Sequence, residues 1–119
     1  MRFENTGLEN LQIDLGRLDY ILKSHGFVLA GQWDYERVTY DHKFELKEGT
    51  YYLRVLGFAS QGDIGSDDAI IELMTPLLGK HYYPHGVEYG DAEHFPSSLV
   101  KTCEQLLSAV KKDVTEFAL

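Results

Sequence analysis

Three histidines, His81, His85 and His94, lie in one segment of the chain that also carries several carboxylates. Imidazole nitrogens together with carboxylate oxygens such as that of Glu88 form a donor set that zinc or nickel accepts. His81 and His85 are four positions apart, but Pro84 opposes the helix that would place both on one face. Two interpretations stay open: a divalent-metal site, or a solvated loop whose histidines bond to the backbone.

A second candidate site is the carboxylate pair Asp34 and Glu36. Strand alternation would put both on one face, about 7 Å apart, where paired carboxylates can act as general acid and base. The alternative is a polar outer face that forms cross-strand ion pairs with Arg37, Lys43 or Arg54. A small hydrolase built on this pair, or on the histidines, is therefore the competing functional hypothesis.

Other catalytic signatures are absent from the sequence. It contains no Gly-rich phosphate loop, no Cys-x-x-Cys pair, no Gly-x-Ser-x-Gly elbow and no His-Glu-x-x-His. The single cysteine, Cys103, falls on an apolar stripe, where a thiol behaves as a small buried hydrophobe rather than as a nucleophile. We expect no resident cofactor, with a divalent metal at His81, His85 and His94 as the one exception to test.

Two helices frame the chain. The first is predicted over residues 14–25, because Asp14 can cap its start and Gly26 can end it. The second follows Pro96 and is about 20 residues long, which corresponds to about 30 Å. Its apolar stripe advances in steps of three and four residues: Leu99, Cys103, Leu106, Leu107, Val110, Val114 and Phe117.

Between the helices the pattern favours β-strands. Residues 27–61 alternate apolar and polar types and fit three strands. A two-residue turn at Glu48 and Gly49 would place Phe44 opposite Leu53. The first of these strands, Phe27 to Glu36, would carry the carboxylate pair.

A fourth strand is predicted from Ala69 to Met74, although the seven residues before Pro76 could also form a helical turn. Residues 79–96 are predicted to form a long structured loop with a short strand at Gly86 to Tyr89. The sequence thus predicts an α+β fold: an antiparallel sheet of four to five strands in a meander, flanked by a short N-terminal helix and a long C-terminal amphipathic helix.

Composition limits the classes of partner. The chain has 119 residues, 44% hydrophobic and 25% charged, which fits one soluble domain over residues 1–119. A net charge of −8 without a readable basic patch opposes binding to nucleic acid. No apolar run approaches the length of a membrane span, and the first residues lack a signal-peptide core, so we expect a cytoplasmic protein with no membrane contact.

Two long segments, residues 31–41 (GQWDYERVTYD) and residues 78–90 (LGKHYYPHGVEYG), resemble the YugN-like proteins. The similarity runs along nearly the whole chain. It implies a small, cytosolic, single-domain bacterial protein, and it brings no activity, substrate, cofactor or functional residue to carry over.

The leading functional hypothesis is a non-enzymatic binding or regulatory module that acts as a homodimer. Its 13% aromatic content and eight tyrosines exceed what one modest core readily absorbs, and tyrosine is enriched at interfaces. The partner would be a protein or a small ligand. The predicted recognition residues lie in the histidine segment: His81, Tyr82, Tyr83, His85, Glu88 and Tyr89.

Overall fold

A computed structural model describes residues 1–30, 34–65, 68–82, 86–90 and 94–119. Its elements, in chain order, are β1 (Gln12–Asp14), α1 (Leu15–Ser24), β2 (Val28–Ala30), β3 (Arg37–Leu46), β4 (Gly49–Gln61), β5 (Ile70–Leu73), β6 (Leu77–Tyr82), β7 (Gly86–Glu88) and α2 (Ser97–Phe117). The predicted α+β class is confirmed, with one short and one long helix on an antiparallel sheet.

The sheet has seven strands within the described residues, more than the four to five expected. Strands β2, β3, β4 and β5 form the predicted meander, and β1 extends it beyond β5. The excess arises because the 13-residue β4 accepts two partners on one side. Its C-terminal part pairs with β5 and its N-terminal part with β6, to which β7 adds. Pro76, which has no amide donor, lies in the break between β5 and β6.

The hairpin of β3 and β4 differs from its predicted register. Leu46 pairs with Gly49 and Phe44 pairs with Tyr51, so Lys47 and Glu48 form the turn. Gly49 is the first strand residue, with φ at 148°, a conformation that glycine adopts most readily. The expected pairing of Phe44 with Leu53 is therefore wrong by two residues, a shift that keeps every side chain on its predicted face.

The helix α1 begins and ends where capping predicts. An Asp14 carboxylate oxygen accepts a hydrogen bond from the Arg17 amide at 3.1 Å. The chain leaves the helix through Gly26, whose φ of 88° suits glycine. Three residues of α1 are buried in the core: Leu18, Ile21 and Leu22.

The helix α2 confirms most of the predicted stripe, because Leu99, Cys103, Leu107, Val110 and Val114 are buried. Leu106 is half-buried, and Phe117 stays 39% exposed beside the Arg17 guanidinium, 4.4 Å from its ring centre. No helix among the described residues is long and apolar enough to cross a membrane.

Both helices pack against the same face of the sheet. Their buried side chains form one core with those of that face, which include Tyr40, Tyr51 and Leu53. The Tyr40 hydroxyl donates a hydrogen bond to an Asp19 carboxylate oxygen at 2.7 Å and so attaches α1 to β3. This packing leaves the opposite face of the sheet, which we call the helix-free face, without a helix among the described elements.

Two expectations about irregular segments change. Residues 79–96 are not one long loop, because β6 continues to Tyr82 and β7 follows at Gly86–Glu88, where a short strand was predicted. The strand predicted from Phe27 to Glu36 is confirmed only over Val28–Ala30 within the described residues.

Candidate functional site

The register of β4 defines the helix-free face. Tyr51, Leu53 and Val55 are buried toward the helices, so the alternate residues Tyr52 and Arg54 lie on the other face. Directly paired residues of neighbouring antiparallel strands share a face. The pairing of Arg54 with Asp41 and of Tyr52 with Gly79 therefore extends this face across β3 and β6.

The hairpin of β6 and β7 adds His81 and Tyr89 to the helix-free face. His81 pairs with Val87, and Gly79 lies one alternation before His81 on β6. A Cβ atom on Gly79 would come within 2.6 Å of the Tyr89 ring and of a Val87 methyl group. The absence of a side chain at Gly79 is what lets the Tyr89 ring approach the strand so closely.

A charged pair lies beside this ring. The Arg54 guanidinium donates hydrogen bonds of 2.9 and 3.0 Å to the two carboxylate oxygens of Asp41, which is only 8% exposed. The hydrogen bond that Arg54 donates to Asp41 raises the pKa of Arg54. Arg54 also lies 5.1 Å from the Tyr89 ring centre, a cation–π distance. The pair holds Arg54 in place as a fixed cation under an aromatic ring.

The Tyr89 hydroxyl is buried and makes no hydrogen bond to any described residue. Burial raises the pKa of Tyr89 above its ordinary value. On the same face the His81 ring approaches the Tyr52 ring edge to face, with centroids 6.3 Å apart. The structure thus brings together an imidazole, two phenol rings and a guanidinium.

Two further recognition candidates that the structure describes, Tyr82 and Glu88, do not join this group. Tyr82 and Glu88 follow the opposite alternation, toward the side of the sheet that carries the helices, and Lys80 lies 5.3 Å from the Tyr82 ring centre. Tyr83 and His85 lie outside the described residues. Of the six predicted positions, His81 and Tyr89 share the helix-free face.

Two of the three metal candidates lie within the residues that the structure describes. His81 is half-buried in β6, and His94 is exposed just before α2. His85 lies outside the described residues. Among the residues the structure describes, no three His, Cys, Asp or Glu side chains come close enough together to hold a metal ion.

The carboxylates of Asp34 and Glu36 do not share a strand face as expected. Both are exposed in a bend that precedes β3. An Asp34 carboxylate oxygen accepts a hydrogen bond from the Glu36 amide at 2.8 Å, a local turn contact that competes with strand pairing. The cysteine follows its predicted role: Cys103 is buried, and burial raises the pKa of its thiol to about 12.

The sequence reasoning missed two hollows at the other end of the helix-free face. One, of about 410 Å³, is lined by Leu56, Leu77 and Arg2 among others. The other, of about 570 Å³, includes Arg37, and Phe58 and Met74 line both. The sequence of β4 does contain an indication of these hollows. Leu56 and Phe58 are apolar, although they lie on the face of β4 that would carry polar side chains if it faced only water.

Comparison with known proteins gives the family. The sequence model of the YugN-like family matches residues 4–116. The chain is 54% identical over 110 residues to the "Uncharacterized protein YlbA" of Bacillus subtilis strain 168, covering 92% of each. It is 27% identical over 74 residues to the "Uncharacterized protein YugN" of the same organism, covering 62% of this chain and 55% of that one.

A solved structure agrees with the fold. The crystal structure of uncharacterized conserved protein YugN from Geobacillus kaustophilus HTA426 is 59% identical in sequence. It superposes with a TM-score of 0.86 over 98% of this chain and 96% of that one. Since the family match and the structural match both span nearly the whole sequence, the chain belongs to the YugN-like family.

Proposed function

We propose that the chain is a single-domain, non-enzymatic binding or regulatory module of the cytoplasm that acts as a homodimer. Its recognition surface is the part of the helix-free face formed by His81, Tyr89, Tyr52 and Arg54. The ligand is a protein segment or a small molecule rather than nucleic acid, because a net charge of −8 repels a phosphate backbone.

The observation that carries this proposal is the convergence of His81 and Tyr89 on one sheet face beside the ordered Arg54. Tyrosine and arginine are the side chains most enriched where proteins recognise partners, since each offers both apolar area and directed hydrogen bonds. The bidentate contact with Asp41 fixes the guanidinium in advance, which lowers the entropy lost on binding.

The surroundings of the catalytic candidates also favour binding over catalysis. Asp34 and Glu36 are exposed, whereas acid–base catalysis uses carboxylates in water-excluded surroundings. Cys103 keeps its proton in the core, so it supplies no thiolate nucleophile at neutral pH. The competing hydrolase depends on a metal held by His81, His85 and His94.

Metal analysis separates the two hypotheses. Protein purified without an affinity tag would be assayed for bound metal and then titrated with zinc and with nickel. We expect far less than one equivalent of either metal at purification, and titration curves for the wild type and for the double variant His81→Ala, His85→Ala that coincide. One tightly bound equivalent that the double variant loses would contradict the binding module and support the metal-dependent enzyme.

Quantitative capture tests the recognition surface itself. Immobilised wild type, His81→Ala and Lys101→Ala would be exposed to one bacterial lysate, and retained proteins and metabolites would be quantified by mass spectrometry. Lys101 is exposed on α2, away from the sheet, and serves as the control. We expect molecules retained by the wild type and by Lys101→Ala to fall at least tenfold with His81→Ala, at unchanged melting temperature. Equal retention by all three would place recognition elsewhere and contradict the proposal.

A further inference from the structure

We infer that two copies of the chain associate by antiparallel pairing of β2 with the β2 of the second copy, which continues the sheet from one copy into the other. The inference rests on the homodimer proposed above and adds the surface that forms it. It concerns an edge of the sheet, separate from the recognition surface around His81.

The two edge strands of the sheet differ in the backbone hydrogen bonds on their outer sides. At the β1 end, the Leu119 amide donates a hydrogen bond to the Gln12 carbonyl at 2.8 Å, so the last residues lie along that strand. At the other end β2 is the outermost strand, paired with β3 on one side. Within the described residues, no backbone hydrogen bond joins the outer side of β2 to another segment.

The side chains of β2 indicate what shape of partner fits. Val28 is 62% exposed and pairs with Asp41, on the helix-free face. Leu29 is 58% exposed and pairs with Tyr40, on the face that packs against α1. Apolar side chains exposed on both faces of one edge strand are covered together only by a partner that arrives in the plane of the sheet, which is another β-strand.

The β2 edge has only part of the protection that normally keeps sheets apart. Folded proteins protect exposed edge strands by keeping them very short or with charged side chains, proline or bulges, and β2 is three residues long. The segment from Phe27 to Ala30 contains no ionisable residue and no proline. An apolar edge strand without charge or proline is open to pairing with another strand.

A second copy of the same chain suits this edge. Each copy carries a net charge of −8, so contacts elsewhere on the surface meet a repulsive field, whereas the β2 segment brings only uncharged side chains together. Pairing consumes the edge in both copies, so the assembly closes as a dimer.

A charge placed on the edge tests the inference. Leu29→Lys puts two ammonium groups close together across the axis, and Tyr20→Lys is the matched control, since Tyr20 is 74% exposed on α1. Sedimentation would measure the dimer dissociation constant of each variant, with circular dichroism as the check on folding. We expect Leu29→Lys to weaken the dimer at least tenfold and Tyr20→Lys to leave it within twofold. A wild-type dimer that both variants preserve, or that both weaken equally, overturns the β2 interface while leaving the homodimer standing.

Cross-linking tests the β2 interface without depending on how Leu29→Lys folds. In a Cys103→Ala background, Leu29→Cys is expected to form an intermolecular disulfide on mild oxidation, and Tyr20→Cys is not. Cross-linking at Tyr20 without cross-linking at Leu29 overturns the inference. A wild-type chain that stays monomeric at every concentration overturns both this interface and the homodimer of the proposed function.

Discussion

Asp41 and Arg54 face each other across β3 and β4, joined by two hydrogen bonds of 2.9 and 3.0 Å. Replacing Arg54 with Met would leave the nearly buried Asp41 carboxylate without its partner. We expect a loss of about 3 kcal/mol in the free energy of unfolding, at the low end for a buried pair because Arg54 keeps some contact with water. Urea denaturation measures this loss.

Two variants control that experiment. The double variant Asp41→Leu, Arg54→Met should recover most of the stability, because both charges are gone together. Lys43→Ala breaks the exposed ion pair with Glu45 and should leave stability almost unchanged, because both groups are fully solvated. Equal losses for Arg54→Met and Lys43→Ala would show that Asp41 is solvated in the folded chain.

The buried thiol of Cys103 should make stability fall at alkaline pH. The folded chain holds its thiol proton to about pH 12, whereas the unfolded chain releases it near the ordinary value of 9.0. Between these values the unfolded state binds fewer protons, so raising the pH favours unfolding. From about pH 8 to 9.5 we expect the wild type to lose about 0.8 kcal/mol more than Cys103→Ala.

This pH window isolates the cysteine. Tyr40 and Tyr89, whose pKa values burial also raises, contribute to the same fall mainly above their ordinary value of 10.0. Urea denaturation at several pH values gives the two slopes. Parallel slopes for the wild type and Cys103→Ala would mean that the thiol ionises equally well in the folded chain.

Gly79 should be the glycine on which the recognition surface depends. An added methyl group would collide with the Tyr89 ring and with Val87 at 2.6 Å, so Gly79→Ala should displace Tyr89 and cost about 1 to 3 kcal/mol. Gly90→Ala is the control, because nothing lies within 4 Å of its Cβ position. Tyrosine ring resonances in NMR spectra would shift in the first variant and not in the second. Unchanged Tyr89 resonances in Gly79→Ala would contradict the placement of the ring.

The buried stripe of α2 should dominate the stability of the core. Leu107 is fully buried, so Leu107→Ala should cost about 2 to 5 kcal/mol, including the cavity left behind. Lys112 is exposed on the same helix, and Lys112→Ala should stay within about 0.5 kcal/mol. Thermal and urea denaturation compare the two variants. Similar losses for both would mean that α2 packs through a different face.

The elements that the sequence predicts well are those encoded by local periodicity. The three-and-four spacing of Leu99, Cys103 and Leu107 needs no knowledge of the rest of the chain. Strand β6 escapes that reasoning because Leu78 and Lys80 share one face while Gly79 and His81 share the other. Neither face of β6 is consistently apolar or polar, so its sequence shows no apolar–polar alternation. Only its pairing with β4 defines the strand.

The candidate site depends on pairings that are distant in sequence. The expected hairpin register would have set Arg54 opposite Lys43, whereas the observed two-residue shift sets it opposite Asp41 and creates the central ion pair. The contact of Tyr89 with Arg54 further requires β7 to fold back on β6. Residue types therefore indicated His81 and Tyr89 as candidates, but only the sheet order could bring them together.

A single measurement of molar mass tests the proposed homodimer most directly. Static light scattering coupled to size-exclusion chromatography would measure the molar mass of the tag-free chain over a range of micromolar concentrations. A homodimer should give a mass of about twice the 13.6 kDa of one chain, falling toward one chain only on dilution. A constant mass of 13.6 kDa up to the highest concentration would contradict it.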